Sequence, residues 1–277
     1  MTLKDTLSCA RRLLEESGIE DAAFEGELLL RYALDLSRAG LYSSLDDDIS
    51  PHQQDACLRL VQRRLSGEPA AYITGCREFY GLDFSVNRHV LIPRPESELL
   101  VEKALELAAD YQKPRIADIG TGSGAIAISL AVNLPQAIIY AIDISPDALE
   151  VASSNCRRHG VADRVRFICG DMLQPLDEPL DIITANLPYV HPDDIADTCP
   201  EPSLALDGGA DGLDKIKRLV YQVDGKLNPG GSLLLEIGLG QAQPVSDMLR
   251  CVFPAARLDI IPDLAGIERV VIMRLPE

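Results

Sequence analysis

The sequence predicts a two-part α/β protein: a helical region of about 70 residues, then a mostly parallel, doubly wound sheet. Three observations lead there. Apolar residues recur at helical spacing up to Gly67. Residues 76–95 then turn rich in β-formers punctuated by Gly and Pro. From residue 115 onward short apolar runs alternate with helical patterns, the signature of βαβ units.

Taken in order, Leu3, Leu7, Ala10, Leu13 and Leu14 mark a first helix, and Leu28, Leu29, Tyr32 and Leu36 continue the pattern over Ala22–Leu36. Ser50 followed by Pro51 reads as an N-cap and first-turn proline, opening a helix through Leu58, Val61 and Leu65. In CREFYGLDFSVNRHVLIPRP (76–95), Phe79, Tyr80, Phe84, Val86 and Val90 favour strands and Gly81 a turn, so a short hairpin is expected to join the two parts. Pro93 and Pro95 stiffen the approach to a helix over Glu96–Ala109. Strands are then expected at Arg115–Ile119, Ala137–Ile142, Val165–Cys169, Asp181–Ala185, Ser232–Ile237, Arg257–Ile261 and Arg269–Arg274. Helices are expected at Ala125–Asn133, from Pro146 to His159, from Asp214 to Lys226 and over Ala242–Leu249. Ligands of such sheets sit beyond the carboxyl ends of the strands.

Composition narrows the function. Of 277 residues, 47% are hydrophobic and 25% charged, enough apolar material for a full core and too much for a disordered chain. No apolar run is long enough to span a bilayer, and the start, MTLKDTLSCARRLLEES, mixes acids and bases without a cleavable apolar stretch; a cytoplasmic protein is expected. With 26 Lys and Arg against 43 Asp and Glu, the net charge of −17 argues against a phosphate backbone as partner and suits a neutral or basic protein. The seven cysteines are odd in number and form no CxxC, and the four histidines show no metal spacing; neither a disulfide framework nor a metal is expected.

Three motifs fall at strand ends. Asp118-Ile119-Gly120-Thr121-Gly122-Ser123-Gly124 closes a strand and opens a helix, and its glycines let backbone approach a ligand without a Cβ in the way. Asp143 ends the next strand, where a carboxylate can accept both ribose hydroxyls of an adenosine. Together they indicate a nucleoside cofactor, NAD or S-adenosylmethionine, with Asp171 and Met172 after the third strand as candidates to flank the adenine. The third motif, Asn186-Leu187-Pro188-Tyr189, suits methylation of an amide or arylamine nitrogen. The lone pair of such a nitrogen is delocalised, so the site must accept its N–H protons and hold its plane. The Asn186 side-chain oxygen and the Leu187 carbonyl supply acceptors, Pro188 stiffens the turn, and Tyr189 can stack on the planar group. Hydride transfer needs no such tetrad, so S-adenosylmethionine is favoured over NAD. Asp46-Asp47-Asp48 reads as a solvated loop, whereas Glu96 and Glu98 belong equally well to scaffold or site.

These residues resemble a known family, the HemK/PrmC protein-glutamine N5-methyltransferases that modify peptide chain release factors. The resemblance rests on EPAAYITG (68–75), FYGLDFSV (79–86), VLIPRPESELLVE (90–102), DIGTGSGAIAISLA (118–131), DISPDALEVASSN (143–155), NLPYV (186–190), EPSLALDGGADGLD (201–214), LLLEIGLGQ (233–241) and DLAGIERVV (263–271). It implies a small N-terminal helical domain (1–75) that docks the release factor, a β-hairpin linker (76–95) and a class I, Rossmann-like, seven-stranded methyltransferase domain (96–277). It also implies methyl transfer from S-adenosylmethionine, leaving S-adenosylhomocysteine, to the glutamine amide of a Gly-Gly-Gln loop in class I release factors. The cofactor turn falls on Asp118 and Gly120–Gly124, the ribose acid on Asp143, the adenine side on Asp171 or Met172, and the substrate tetrad, with Asn186 also beside the cofactor, on Asn186–Tyr189. One departure stands out: the family's tetrad is usually Asn-Pro-Pro-Tyr, and Leu187 replaces the first Pro. NLPY resembles the tetrad of ribosomal-RNA adenine dimethyltransferases, which leaves adenine-N6 methylation of RNA or DNA as the alternative. A non-catalytic cofactor-binding module is the third reading, against which the intact Gly124, Asp143, Asn186 and Tyr189 speak.

Overall fold

The computed structural model describes residues 1–196 and 198–277, and the chain divides into two compact units, Met1–Cys76 and Arg77–Glu277.

The first unit is all helical: α1 (Leu3–Glu16), α2 (Ala22–Leu34), α3 (Arg38–Ser43), α4 (Pro51–Leu65) and α5 (Ala70–Thr74). Capping boxes start two of them. The Thr2 and Asp5 side chains each accept the other's backbone N–H at α1, and Ser50 and Gln53 do the same at α4, with Pro51 in the first turn. Leu3, Leu7, Ala10, Leu14, Leu29, Leu30, Leu41, Cys57 and Val61 form its core. On α2 the inward stripe is Ala22, Gly26, Leu29 and Leu30; Tyr32, which the sequence pattern places inside, is 54% exposed. Gly26 decides this: a Cβ there would stand 3.2 Å from Arg11 Cγ, so α1 packs on the glycine side. The short α3 and α5 lie outside the sequence expectation, since five or six residues are too few to show a period.

The second unit opens with a hairpin of β1 (Cys76–Phe79) and β2 (Leu82–Ser85). Tyr80 and Gly81 both have positive φ, as a two-residue hairpin turn of primed type requires. Phe79 and Phe84 meet edge to face at 6.1 Å and are buried with the sheet's own apolar residues. The hairpin thus occupies only the first half of the β-rich segment. Residues 86–94 run without regular structure.

After α6 (Glu98–Ala108) come β3 (Arg115–Ile119), α7 (Ala125–Asn133), β4 (Ile138–Asp143), α8 (Pro146–Arg158), β5 (Val165–Cys169), β6 (Leu180–Ala185), α9 (Asp214–Val223), β7 (Leu227–Glu236), α10 (Ala242–Val252), β8 (Arg257–Pro262) and β9 (Glu268–Arg274). The seven strands lie in the order β5-β4-β3-β6-β7-β9-β8, parallel except β9, which runs antiparallel to both neighbours. Side chains alternate between two cores. Ile119, Ile142, Ile183 and Leu235 face α9 and α10, while Ile116, Ile139, Ile182 and Leu234 face α6, α7 and the hairpin. β7 begins five residues before the expected Ser232, because Leu227 already pairs with Leu180 ahead of a register shift. Chain direction across the sheet reverses between β3 and β6, and the carboxyl ends of these strands open the crevice where open α/β sheets bind ligands.

Candidate active site

A cavity of about 270 Å³ lies at that crevice. Its walls include Gly120, Thr121, Gly122 and Ser123 after β3, Asp143 at the end of β4, Asp171 and Met172 after β5, and Asn186, Leu187 and Pro188 after β6. The structure therefore gathers ten of the thirteen candidate site residues around one space. Asp118, Gly124 and Tyr189 stand behind its walls.

Asp118 is buried beneath the glycine turn. Its carboxylate accepts from the Thr121 hydroxyl (2.7 Å) and the Thr184 hydroxyl (3.1 Å), which ties the turn to the sheet. Burial pushes its pKa up to about 6 despite these two donors. Gly124 has φ +81°, and a Cβ there would stand 2.8 Å from Ile128 Cδ1 and 3.1 Å from Ala152 Cβ. Its role in the structure is the close approach of α7 to α8. Asn155, wholly buried on α8, fastens the other side: its amide donates to the carbonyls of Ser123 and Ser85 and its oxygen accepts the Ser85 N–H. Asn155 closes the quoted stretch 143–155, but among its polar neighbours Ser153, Ser154 and Arg157 nothing in the sequence sets it apart for this role.

The Asp143 carboxylate reaches back to the turn, accepting the Gly122 N–H and the Ser145 N–H at 2.9 Å each. Burial raises its pKa, and these N–H groups pull the other way. Asp171 pairs with Arg218, and Met172 takes a left-handed φ of 53° while its side chain is buried at the cavity wall.

The tetrad is held from two sides. On one, the Asn186 Nδ2 donates to the Ser97 hydroxyl (2.9 Å), and the Tyr189 hydroxyl donates to Glu236 Oε1 (3.3 Å). Burial pushes Glu236 up to about 7 and Tyr189 up to about 12; for Tyr189 the neighbouring Glu236 adds to the shift. On the other side the segment 206–214 wraps the backbone: Val190 N–H donates to the Leu206 carbonyl, Gly208 N–H to the Val190 carbonyl, and the Gln241 amide to the carbonyls of Tyr189 and Gly212. Gly208 has no room for a side chain, since a Cβ would come within 2.7 Å of Tyr189 Cα. The Asn186 side-chain oxygen and the Leu187 carbonyl take no hydrogen bond among the described residues, so both acceptors remain for a ligand. The Leu187 side chain is buried and packs toward the glycine turn, where a Gly120 Cβ would stand 3.3 Å from its Cδ2.

Of the Pro93–Glu98 segment, Ser97 is the residue that meets the tetrad. Glu98 accepts the Tyr80 N–H at the hairpin turn, Glu96 is exposed, and Arg94 pairs with Glu201, which also accepts the Ile92 N–H. Ser97 and Glu236 escaped the sequence reading; their only signal was their position inside the quoted stretches 90–102 and 233–241. No group of residues suited to hold a metal occurs among the described residues, and no described helix is long and apolar enough to cross a membrane.

Known proteins carry the same architecture. The hMettl16 catalytic domain superposes with a TM-score of 0.59 at 14% identity, covering 82% of this chain and 83% of that one, a likeness of fold alone. Residues 112–236 match a family model described as a methyltransferase domain, and residues 5–75 match one described as the PrmC N-terminal domain. The release factor glutamine methyltransferase of Moorella thermoacetica is 45% identical over 274 residues, 97% of each chain. That of Geobacter sulfurreducens is 43% identical over 253 residues, 89% of this chain and 88% of the relative. With the helical unit, the class I methyltransferase sheet and full-length similarity in agreement, the chain belongs to the release factor glutamine methyltransferase family.

Proposed function

We propose that this protein transfers a methyl group from S-adenosylmethionine to the side-chain amide nitrogen of the glutamine in the Gly-Gly-Gln loop of class I peptide chain release factors, in the cytoplasm. The observation that carries the reading is the polarity of Asn186. Its amino group is spent on Ser97, so its oxygen is the end left to accept an N–H at the cavity wall.

The cavity residues suit S-adenosylmethionine. Gly120 and Gly122 leave bare backbone on one wall, and a Cβ at Gly120 would press on Leu187. Asp143 keeps lone pairs for ribose hydroxyls beyond its backbone donors, and Asp171 and Met172 stand on the adenine side. When bound, the cofactor supplies an electrophilic methyl group. The chain's own work is orientation. Asn186 Oδ1 and the Leu187 carbonyl accept the two N–H bonds of a planar amide, which aims its lone pair out of that plane. Pro188 limits the turn's freedom, and Tyr189, tied to Glu236, braces the tetrad from behind. Orientation of this kind is worth up to about 7–11 kcal/mol in favourable cases.

The helical unit is the proposed holder of the release factor, with the 76–95 segment as its connection to the catalytic unit. Adenine-N6 methylation draws support only from NLPY, and here Leu187 has a packing role of its own against the glycine turn. The test is incubation of the purified protein with labelled S-adenosylmethionine and either release factor or ribosomal RNA, followed by peptide mapping. Label on the Gly-Gly-Gln glutamine is expected; label on RNA alone would refute the proposal.

A further inference from the structure

Glu236 is a buried carboxylate at the end of β7 that the methyl-transfer chemistry does not call on directly. It is 2% exposed; Oε1 accepts from Tyr189, and Oε2 has no hydrogen-bond partner among the described residues. An orphaned carboxylate oxygen at such depth is costly to keep. Beside it stands Ser97, 4% exposed, whose hydroxyl stabilises the charged form of Glu236. The Ser97 oxygen already accepts from Asn186 Nδ2, so its single proton is free to be given elsewhere.

We propose that Glu236 is a positioning residue: it accepts a hydrogen bond from the Ser97 hydroxyl and thereby fixes which end of the Asn186 carboxamide faces the cavity. The logic is one of donors and acceptors. If Asn186 turned its amide over, its oxygen would meet Ser97 and would need that same proton. The carboxylate would then lose Ser97 as a donor and keep Tyr189 alone. While Glu236 is ionised, the arrangement with Asn186 Nδ2 on Ser97 and Oδ1 toward the substrate is the one that satisfies all three groups. Glu236 also accepts from Tyr189, so one carboxylate braces both ends of the tetrad. This inference rests on the reading of Asn186 as an acceptor for the substrate's amide N–H.

The test uses the full-length enzyme and a purified release factor. Ser97→Ala and Glu236→Gln should each lower kcat by roughly tenfold or more, the scale expected when a reacting group is misplaced. KM and cofactor affinity by calorimetry should stay within about twofold. Ser97→Thr, which keeps the hydroxyl, should retain most of the activity. Because the two residues act in series, the double variant Ser97→Ala/Glu236→Gln should be no slower than Ser97→Ala alone. A folded Ser97→Ala enzyme with wild-type kcat, or a double variant that multiplies the two losses, would overturn the proposal. An NMR measurement needs no variant: a side-chain amide proton of Asn186 should exchange slowly in the wild-type protein, and fast exchange of both would equally overturn it. A wild-type enzyme inactive on release factor would instead strike the substrate reading, and this inference with it.

Discussion

Replacing Gly208 by Ala tests how tightly the tetrad is held. Gly208 does not have a left-handed φ, so an alanine brings no backbone strain of its own. What it brings is a methyl group 2.7 Å from Tyr189 Cα and 2.7 Å from the Gly212 carbonyl oxygen. Both neighbours are backbone, and neither can swing aside as a side chain tip would. Relief to an ordinary contact of at least 3.4 Å opens each of the two gaps by about 0.7 Å. Overpacking of this kind costs about 1–3 kcal/mol in stability. A displacement near 1 Å at a positioning group costs roughly a hundredfold in rate, so Gly208→Ala should lower kcat by about ten- to a hundredfold. The glycine turn and Asp143 are on other loops, so S-adenosylmethionine affinity should change by less than about twofold. Steady-state methylation of a release factor gives kcat, calorimetry the affinity, and a urea melt the stability. A folded variant with kcat within about twofold of wild type would show that the 206–214 segment does not set the tetrad's position.

Asp143→Ala should weaken S-adenosylmethionine binding by roughly ten- to a hundredfold by calorimetry, from loss of charge-assisted hydrogen bonds worth about 1.5–3 kcal/mol each; unchanged affinity in a folded variant would remove Asp143 from the cofactor site. Asn186→Ala should depress kcat by about a hundredfold or more while the melt stays near wild type, and near-normal turnover would sink the amide clamp. Asp118 makes stability depend on pH. Its folded pKa of about 6 lies above the usual 3.8, so the folded state binds more protons between these values and loses stability as pH rises through them. Asp118→Asn escapes that loss, and urea melts should show its stability relative to wild type improving by about 2 kcal/mol from about pH 4 to about pH 7; a flat difference would mean that Asp118 is not buried as a charge. Residues 77–277 alone, if folded, should bind S-adenosylmethionine yet methylate intact release factor poorly, and full activity would dismiss the helical unit as a docking element.

The sheet was readable because each strand carries a short apolar run and each following helix a different period. Even the site's location followed, since Gly120, Asp143 and Asn186 stand where strands end. The supports were not readable. Ser97, Asn155 and Glu236 are single polar residues whose partners lie 89, 70 and 47 positions away in sequence, and no local pattern announces such pairings. Leu187 shows the same limit from the other side. Read as one link of a tetrad, it offers only a carbonyl. In the fold its side chain is buried and fills the space over Gly120, which a backbone argument cannot foresee. Tyr189, read as a stacking platform, does not line the cavity; its hydroxyl turns to Glu236.

The placement of β9 between β7 and β8 bears on how the chain folds as it is made. β7 and β8 are both synthesised before β9 yet share no ladder with each other; each acquires its antiparallel neighbour only once residues 268–274 are available. Until then the facing edges of β7 and β8 stand unpaired, the condition that invites misassembly in slow-forming sheets. The helical unit, built from neighbours close in sequence, faces no such wait and can fold during synthesis. A nascent chain of this protein therefore passes through a stage with a formed helical head and an open sheet, and that stage is where dependence on chaperones should concentrate.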